Sequence, residues 1–236
     1  MATDQALLDR SEATGEGHLR FYCWSPHCLS FGRNEPAALR YDRETIATSS
    51  IDTVRRPTGG RGVWHARELT YAVAAPVAAF GTLNQSYARI HQWIVDGLQS
   101  LGLAAALAPR VPPPGLGAGA CFASPAGGEV IVAGRKLVGS AQLRQGSAFL
   151  QHGSLLLQDD QSRVTQLQRR PSTVGQETTL AQELGRSVEF EEVAESLASA
   201  FRAGGLHGQR DHPADLSARI ASHQSRFQDP AWTWRR

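Results

Sequence analysis

The sequence contains few cysteines and no long apolar run. Only three of its 236 residues are cysteines: Cys23, Cys28 and Cys121. So small and odd a number argues against a disulfide scaffold and favours a reducing environment. No stretch approaches the roughly 20 apolar residues that a membrane-spanning helix needs. The first residues, MATDQALLDRSEATGEG, lack the basic and apolar regions of a secretory signal, so we expect a cytoplasmic protein without membrane contact.

An excess of charge of one sign is also lacking. The chain has 24 Lys and Arg against 22 Asp and Glu, a net charge of +2, and its aromatic residues are not interleaved with basic clusters. Nucleic acid is therefore not an expected partner. Cys23 and Cys28 flank His27, but their spacing is not that of a zinc-binding cysteine pair and no second ligand pair follows. We expect no bound metal.

The hydrophobic pattern changes period along the chain. The length fits one large domain or two small ones, and we predict a single domain over residues 1–236. Helical spacing predicts a helix over 84–101, capped by Asn84 and stopped by Gly102, and further helices after about residue 175. Strands are predicted at 19–24, 51–56, 68–73 and 129–134, and then in the runs KLVGSAQLR, SAFL and GSLLLQ. The expected fold class is α+β: a mixed β-sheet core that carries helices on one side.

The stretch RRPTGGRGVWH, residues 55–65, combines two arginines with three glycines. Glycine this dense marks a sharp bend or a close approach of the backbone to a ligand. A P-loop is excluded because its lysine and hydroxyl are missing, and a dinucleotide fingerprint is excluded because the stretch lies between two strands. Two interpretations stay open: a plain tight turn, or a site where the paired arginines hold a polar or anionic group.

A second stretch, PRVPPPGLGAGA at residues 109–120, has four prolines and three glycines and ends directly on Cys121. Such a composition predicts neither a helix nor a ladder strand. It is a surface connector or a loop that delivers a thiol to a site, because loops held by a scaffold often carry function.

Two blocks resemble the signature of a known enzyme superfamily. RRPTGGRGVWHARELTYAV (55–73) and GRKLVGSAQLRQGSAFLQHGSLLL (134–157) are similar, in content and order, to the biotin/lipoate protein ligase (BPL/LPL) and octanoyltransferase superfamily. MATDQALL, RFYCWSPHCLSFG and DPAWTWRR resemble its first helix, its next strands and its C-terminal tail. The nearest branch is the LipM-type octanoyltransferases, in which a Cys-Phe pair precedes the lysine block as Cys121-Phe122 does here. The resemblance implies a class II synthetase-like catalytic domain.

The resemblance also implies an acyl pocket with two catalytic residues. Cys121 would attack the acyl group as a thiolate and hold it as a thioester, and Lys136 would position and polarise the acyl carbonyl. Taken alone, Cys121 could be a buried structural cysteine and Lys136 the tip of a turn. Arg55 and Arg56 could pair with buried carboxylates instead of binding substrate. The expected substrate-binding residues are Arg55, Arg56, Gly59, Gly60, His65, Gly139, Ser140, Ala141 and His152.

The function implied is octanoyl transfer in lipoate biosynthesis. An octanoyl group would pass from acyl carrier protein to Cys121 and then to a lysine of a lipoyl domain or of the glycine-cleavage H protein, with a monomeric enzyme and no cofactor. Two alternatives stay open: an ATP-dependent lipoate or biotin ligase, and a non-catalytic relative that only binds a lipoyl domain. The presence of both Lys136 and Cys121 argues against the non-catalytic relative. A cysteine at this place has no role in adenylation, which argues against the ATP-dependent ligase.

Overall fold

The computed structural model describes residues 1–109, 127–158, 161–171, 175, 177–208 and 215–235. Helices and strands alternate irregularly through these ranges. In chain order they are α1 Ala2–Thr14, β1 His18–Tyr22, β2 Cys28–Phe31, α2 Ala37–Arg40, α3 Arg43–Thr48, β3 Asp52–Arg55, β4 Val63–His65, β5 Glu68–Pro76, α4 Val77–Phe80, α5 Leu83–Ser100, β6 Ala105–Leu107, β7 Val130–Val132, β8 Arg135–Gln145, β9 Ala148–Leu156, α6 Ser162–Gln166, α7 Leu180–Leu184, α8 Phe190–Ala203, α9 Leu216–Gln228 and α10 Pro230–Thr233.

A six-stranded sheet forms the centre of the fold. Its strand order is β1-β5-β9-β8-β7-β6, and all neighbours are antiparallel. The three longest strands, β5, β9 and β8, lie side by side, with Tyr71 opposite Gly153 and Gly153 opposite Ser140. β5 and β9 are buried along almost their whole length, because helices cover both faces of this sheet.

The two faces carry different helices. Side chains of α5 and α8, such as Ile94 and Leu197, pack on one face together with Val73 and Phe149. Leu8 of α1 packs on the opposite face in a smaller cluster. The expectation that helices lie on one side only is therefore wrong: α1 and α9 cover the second face. The α+β class, with helices packed on a β-sheet core, is confirmed.

A second sheet of three strands, β3-β2-β4, stands beside the first. β2 pairs in parallel with β3 and antiparallel with β4, so Phe31 lies opposite Arg55 and Cys28 opposite His65. The small sheet therefore places the two ends of the RRPTGGRGVWH stretch on opposite sides of β2. The turn between them faces the large sheet through contacts described below.

Several element boundaries differ from the predicted ones. α5 begins at Leu83, and its N-cap is Thr82, not Asn84, because Thr82 and Gln85 form a reciprocal capping box. The runs SAFL and GSLLLQ form one continuous strand, β9, with no turn between them. In the described ranges, no helix is both long enough and apolar enough to cross a bilayer.

Candidate active site

A pocket lies where the small sheet meets β5, β8 and β9. Its volume is about 340 Å³, with the solvent at its open side included. We call this pocket the slot. The residues that line it are Met1, Tyr22, Arg56, Val63, His65, Thr70, Gly139, Ser140, Ala141, His152, Gly153 and Ser154.

Six of the residues proposed from the sequence line this slot together: Arg56, His65, Gly139, Ser140, Ala141 and His152. The two signature blocks are far apart in the chain and meet here because β4, β8 and β9 converge. Sequence reasoning missed Gly153. A Cβ on Gly153 would lie 2.6 Å from the carbonyl oxygen of Gly139 and 2.7 Å from the ring of Tyr71, so the close packing of β8 on β9 requires glycine there.

His65 is held from both ring nitrogens. Nδ1 lies 2.7 Å from Oε1 of Glu68, and Nε2 lies 2.5 Å from Oγ of Ser30. The ring of Trp24 stacks on the imidazole with a centroid separation of 4.4 Å. The carboxylate of Glu68 and the hydroxyl of Ser30 thus fix the imidazole ring from its two nitrogens. His65 therefore serves as an oriented wall of the slot.

Arg56 joins the same network through its guanidinium. Nη1 donates to Oγ of Ser30 at 2.6 Å and to the Ser30 carbonyl at 3.0 Å. Nη2 donates to the carbonyls of Gly59 and Arg61 at 3.2 and 2.7 Å. The side chain of Arg56 thereby holds the glycine turn in place by binding two of its carbonyls. Within the turn, Gly60 has a φ of 90°, which only glycine adopts readily. Gly59 and Gly60 shape the turn but are absent from the slot lining.

His152 approaches the slot from β9. Nε2 lies 2.6 Å from Oγ1 of Thr58, and Nδ1 lies 3.3 Å from Oδ2 of Asp4. Burial lowers the pKa of His152, although Asp4 works in the opposite direction. Burial also acts to raise the pKa of Asp4, but the hydrogen bond from His152 and nearby positive charges outweigh it and hold that pKa well below its usual range. A neutral His152 therefore donates to a charged Asp4 and accepts from Thr58.

Arg55 lies outside the slot. Its side chain is fully buried, and it donates to backbone carbonyls on two distant segments of the chain. Those carbonyls belong to Gly32, Arg33, Glu35, Trp232, Thr233 and Arg235. The arginine fastens the C-terminal tail to the loop after β2. Its partners are carbonyls, rather than the buried carboxylates considered from the sequence.

Lys136 is buried in an ion pair near the start of β8. Its Nζ donates to Oε1 of Glu129 at 2.7 Å, and the side chain is only 1% exposed. It does not line the slot. On β8 it precedes Gly139 by three residues, about 10 Å along an extended strand. A position for Lys136 at the end of the acyl pocket stays a prediction.

Behind the slot, His91 of α5 binds Ser140 from the opposite face of β8. Nδ1 donates to the carbonyl of Gly128 at 2.6 Å, and Nε2 accepts from Oγ of Ser140 at 2.8 Å. The hydroxyl of Tyr71 lies 2.6 Å from the same Ser140 oxygen. Burial lowers the pKa of His91 to about 4, and the charge of Lys136 contributes in the same direction. His91 is therefore neutral at physiological pH.

Cys121, the predicted nucleophile, lies outside the described residues, as does most of the Pro/Gly-rich stretch before it. Of the two other cysteines, Cys23 is exposed and Cys28 is buried. Burial raises the pKa of the Cys28 thiol to about 12, so that thiol is inert as a nucleophile at neutral pH. Within the described ranges, no three His, Cys, Asp or Glu side chains are grouped closely enough to hold a metal ion.

Relatives of the chain point to one enzyme family. Residues 1–202 match the model of the lipoyl protein ligase A/B catalytic domain. A protein named octanoyltransferase LipM from Kyrpidia tusciae is 36% identical over 239 residues, which cover 92% of this chain and 86% of the relative. A protein of the same name from Symbiobacterium thermophilum is 36% identical over 227 residues, which cover 87% of this chain and 82% of the relative.

Solved structures agree with the fold. Lipoate-protein ligase A bound with ATP superposes with a TM-score of 0.83 at 18% identity, over 99% of this chain and 92% of that chain. A bi-partite lipoate protein ligase, studied with its E2 lipoyl domain from Thermoplasma acidophilum, superposes with a TM-score of 0.79 at 19% identity, over 99% and 89%. These likenesses confirm the fold predicted from the two signature blocks.

Proposed function

The chain belongs to the lipoyl protein ligase A/B catalytic-domain family, and from this premise we propose that it is an octanoyltransferase of lipoate biosynthesis. The relatives that cover most of its length carry that activity in their names. A solved neighbour of the same fold, the bi-partite lipoate protein ligase, is described together with its E2 lipoyl domain. The proposed acceptor is accordingly a lysine of a lipoyl domain or of the glycine-cleavage H protein, and the proposed donor is octanoyl acyl carrier protein.

The observation that carries the proposal is the set of residues that line the slot. Gly139, Ala141 and Gly153 leave one wall almost without side chains, and Val63 adds an apolar surface. A wall of glycine and alanine beside an apolar valine suits an aliphatic acyl chain. The imidazoles of His152 and His65 already form hydrogen bonds with Thr58 and Glu68. An acyl chain can therefore enter the slot without leaving these imidazole nitrogens unpaired.

We propose a two-step reaction through Cys121. The thiolate of Cys121 attacks the carbonyl carbon of the octanoyl thioester, and the carrier's thiolate leaves with the electron pair of the broken C–S bond. The acceptor lysine, as a free amine, then attacks the new thioester. An amide bond forms, the Cys121 thiolate leaves, and the proton lost by the amine returns to solvent or to a thiolate. The first step exchanges one thioester for another, whereas the second makes a more stable amide and drives the sequence.

Lys136 is the proposed electrostatic partner of this chemistry. An ammonium stabilises the oxyanion that develops on the acyl carbonyl, and it also favours a nearby thiolate over a thiol. The buried pair with Glu129 at 2.7 Å would hold that ammonium in place, because both ends of a desolvated ion pair lose much by separating. Preorganised charge of this kind is the usual way in which an acyl-transfer site lowers its barrier.

Intact mass spectrometry tests the proposal directly. Wild-type protein mixed with octanoyl carrier protein, without ATP and without acceptor, is expected to gain one octanoyl group that hydroxylamine removes. Cys121→Ser should lack the adduct, whereas the exposed Cys23→Ser should retain it. Steady-state transfer to a lipoyl domain should follow ping-pong kinetics.

Other outcomes identify the alternatives. Transfer that requires ATP, Mg²⁺ and free octanoate would establish a ligase instead. Binding of a lipoyl domain with neither adduct nor transfer would establish a non-catalytic relative. Full transfer by Cys121→Ala would replace the covalent route with a direct one.

A further inference from the structure

Two arginines lie over one tryptophan of the C-terminal tail, and the backbone of a third arginine contacts one of them. The guanidinium carbon of Arg226, at the end of α9, lies 4.0 Å from the ring centre of Trp232, and that of Arg235 lies 4.2 Å from it. Nη2 of Arg235 also donates to the carbonyl of Arg33. The indole is itself anchored, since its Nε1 donates to the carbonyl of Arg55 at 3.1 Å. We call Arg33, Arg226 and Arg235 the arginine cluster.

Among the residues that the structure describes, none of the three guanidiniums of the arginine cluster forms an ion pair. The carboxylate of Asp229, in the tail, accepts the backbone N–H of Ala231. Burial lowers the pKa of Arg226, the charges of Arg33 and Arg235 lower it further, and the charge of Asp9 acts in the opposite direction. Like charges held so close repel one another, so the cluster gains free energy when an anionic surface covers it.

The cluster adjoins the slot. Arg33 donates its backbone N–H to the carbonyl of Thr58 at 2.7 Å, and Thr58 holds His152 in the slot wall. On the other side, Arg55 fastens the tail that carries Arg235, and the next residue, Arg56, lines the slot. An occupant of the arginine cluster would therefore stand beside the slot.

We propose that the arginine cluster docks an acidic face of the carrier protein that delivers the octanoyl thioester. The inference rests on the proposed function, because it deepens the account of how the donor is recognised. The planar guanidinium group of arginine presents several N–H donors that match the oxygens of carboxylates and phosphates. Exposed charges at a docking surface change mainly the rate and strength of association, and not the chemical step. Arg33 is exposed and the other two are half-buried, so all three can reach a partner.

Charge reversal tests the proposal. In Arg33→Glu/Arg235→Glu, the KM for octanoyl carrier protein is expected to rise about tenfold while kcat stays unchanged. The donor KM of the wild type should also rise with salt, because screening weakens exposed charge pairs. The matched control is Arg89→Glu/Arg202→Glu, which makes the same charge change at exposed positions of α5 and α8 and should leave the donor KM unaltered. Arg33→Lys/Arg235→Lys should retain most of the wild-type affinity.

Two further measurements separate docking from damage to the fold and from the acceptor side. With octanoyl-pantetheine, which carries the thioester but no protein, the reversed variant should be as active as wild type. Its KM for the lipoyl domain should also be unchanged. An unchanged donor KM, an equal loss with octanoyl-pantetheine, or a raised acceptor KM would each overturn the proposal.

The proposed function fails separately. If wild-type protein transfers no octanoyl group from any donor, the transferase proposal is wrong whatever the arginine cluster does. Binding of the unacylated carrier, measured by fluorescence anisotropy, then decides the docking surface by itself. Wild-type binding that the reversed variant loses supports the surface, and equal binding by both overturns it.

Discussion

Acidification is expected to destabilise this protein through His91, starting at a pH well above that at which carboxylates titrate. The imidazole is fully buried, with Nδ1 on the carbonyl of Gly128 and Nε2 on the hydroxyl of Ser140. Burial lowers its pKa to about 4, against 6.5 for the ordinary group. Between those two values the unfolded chain binds a proton at this site and the folded protein does not.

The sign and size follow from that difference. The contribution of His91 to the free energy of unfolding is fully present above pH 6.5 and is lost as the pH falls towards 4. One pKa unit corresponds to about 1.4 kcal/mol, so a shift from 6.5 to about 4 amounts to about 3 kcal/mol. A loss of that size is a large part of the total stability of an ordinary domain.

Urea unfolding of wild type and His91→Gln isolates the effect. Glutamine keeps a donor and an acceptor at the site but does not titrate. The other shifted groups, including His152 and Asp4, are common to both proteins and cancel in the difference. We expect wild type to be the more stable at about pH 7.5, and its advantage to shrink by about 2–3 kcal/mol by about pH 4.5. Two parallel curves would refute the argument, because they would mean that His91 is already protonated in the fold or reaches water.

Two other residues give equally direct tests. Lys136→Ala should slow octanoyl transfer by about 10²–10³. Because this change removes the partner that lies 2.7 Å from Glu129, the double variant Lys136→Met/Glu129→Gln serves as a control. If the folded double variant transfers octanoate at the wild-type rate, Lys136 has no part in the chemistry. Arg55→Met should lower the free energy of unfolding by about 3 kcal/mol or more, because it strands several buried carbonyls. Arg61→Met, at a less buried position in the same turn, should stay within about 0.5 kcal/mol of wild type, and equal losses in both variants would contradict the role given to Arg55.

The sequence predicts the regular elements well where one physical signal dominates. Helical spacing locates α5 to within a residue or two, but it does not identify the cap, because Thr82 and Gln85, on either side of Asn84, form a capping box. The helix α1 shows no clean apolar stripe, because the consecutive residues Asp4 to Leu8 are all buried. Buried Asp4 binds His152, Arg20 and Tyr22. These polar contacts override the amphipathic pattern of α1, so the periodicity does not predict the second helical face of the sheet.

The slot was less predictable than the signature blocks that build it. Those blocks indicate Arg56, His65 and His152, but no local pattern reveals which side chains support them. Gly153 looks like a break between strands, whereas it is required within one strand by the closeness of its neighbours. His91 reads as one more buried residue of α5, because its partner Gly128 lies 37 residues away in the sequence. Contacts of that range come from tertiary structure and leave no periodic trace.

The pair Arg55-Arg56 shows how one dipeptide can serve the slot and the surface at once. Successive residues of an extended chain point in opposite directions, so Arg56 turns to Ser30 and the slot while Arg55 turns to the C-terminal tail. The same tail carries Arg235 of the arginine cluster beside Trp232, whose indole bonds to Arg55. The tail is therefore bonded to the backbone of the residue that precedes Arg56. The glycine turn, which Arg56 closes by binding two of its carbonyls, is joined to the C-terminal tail through the single peptide bond between Arg55 and Arg56.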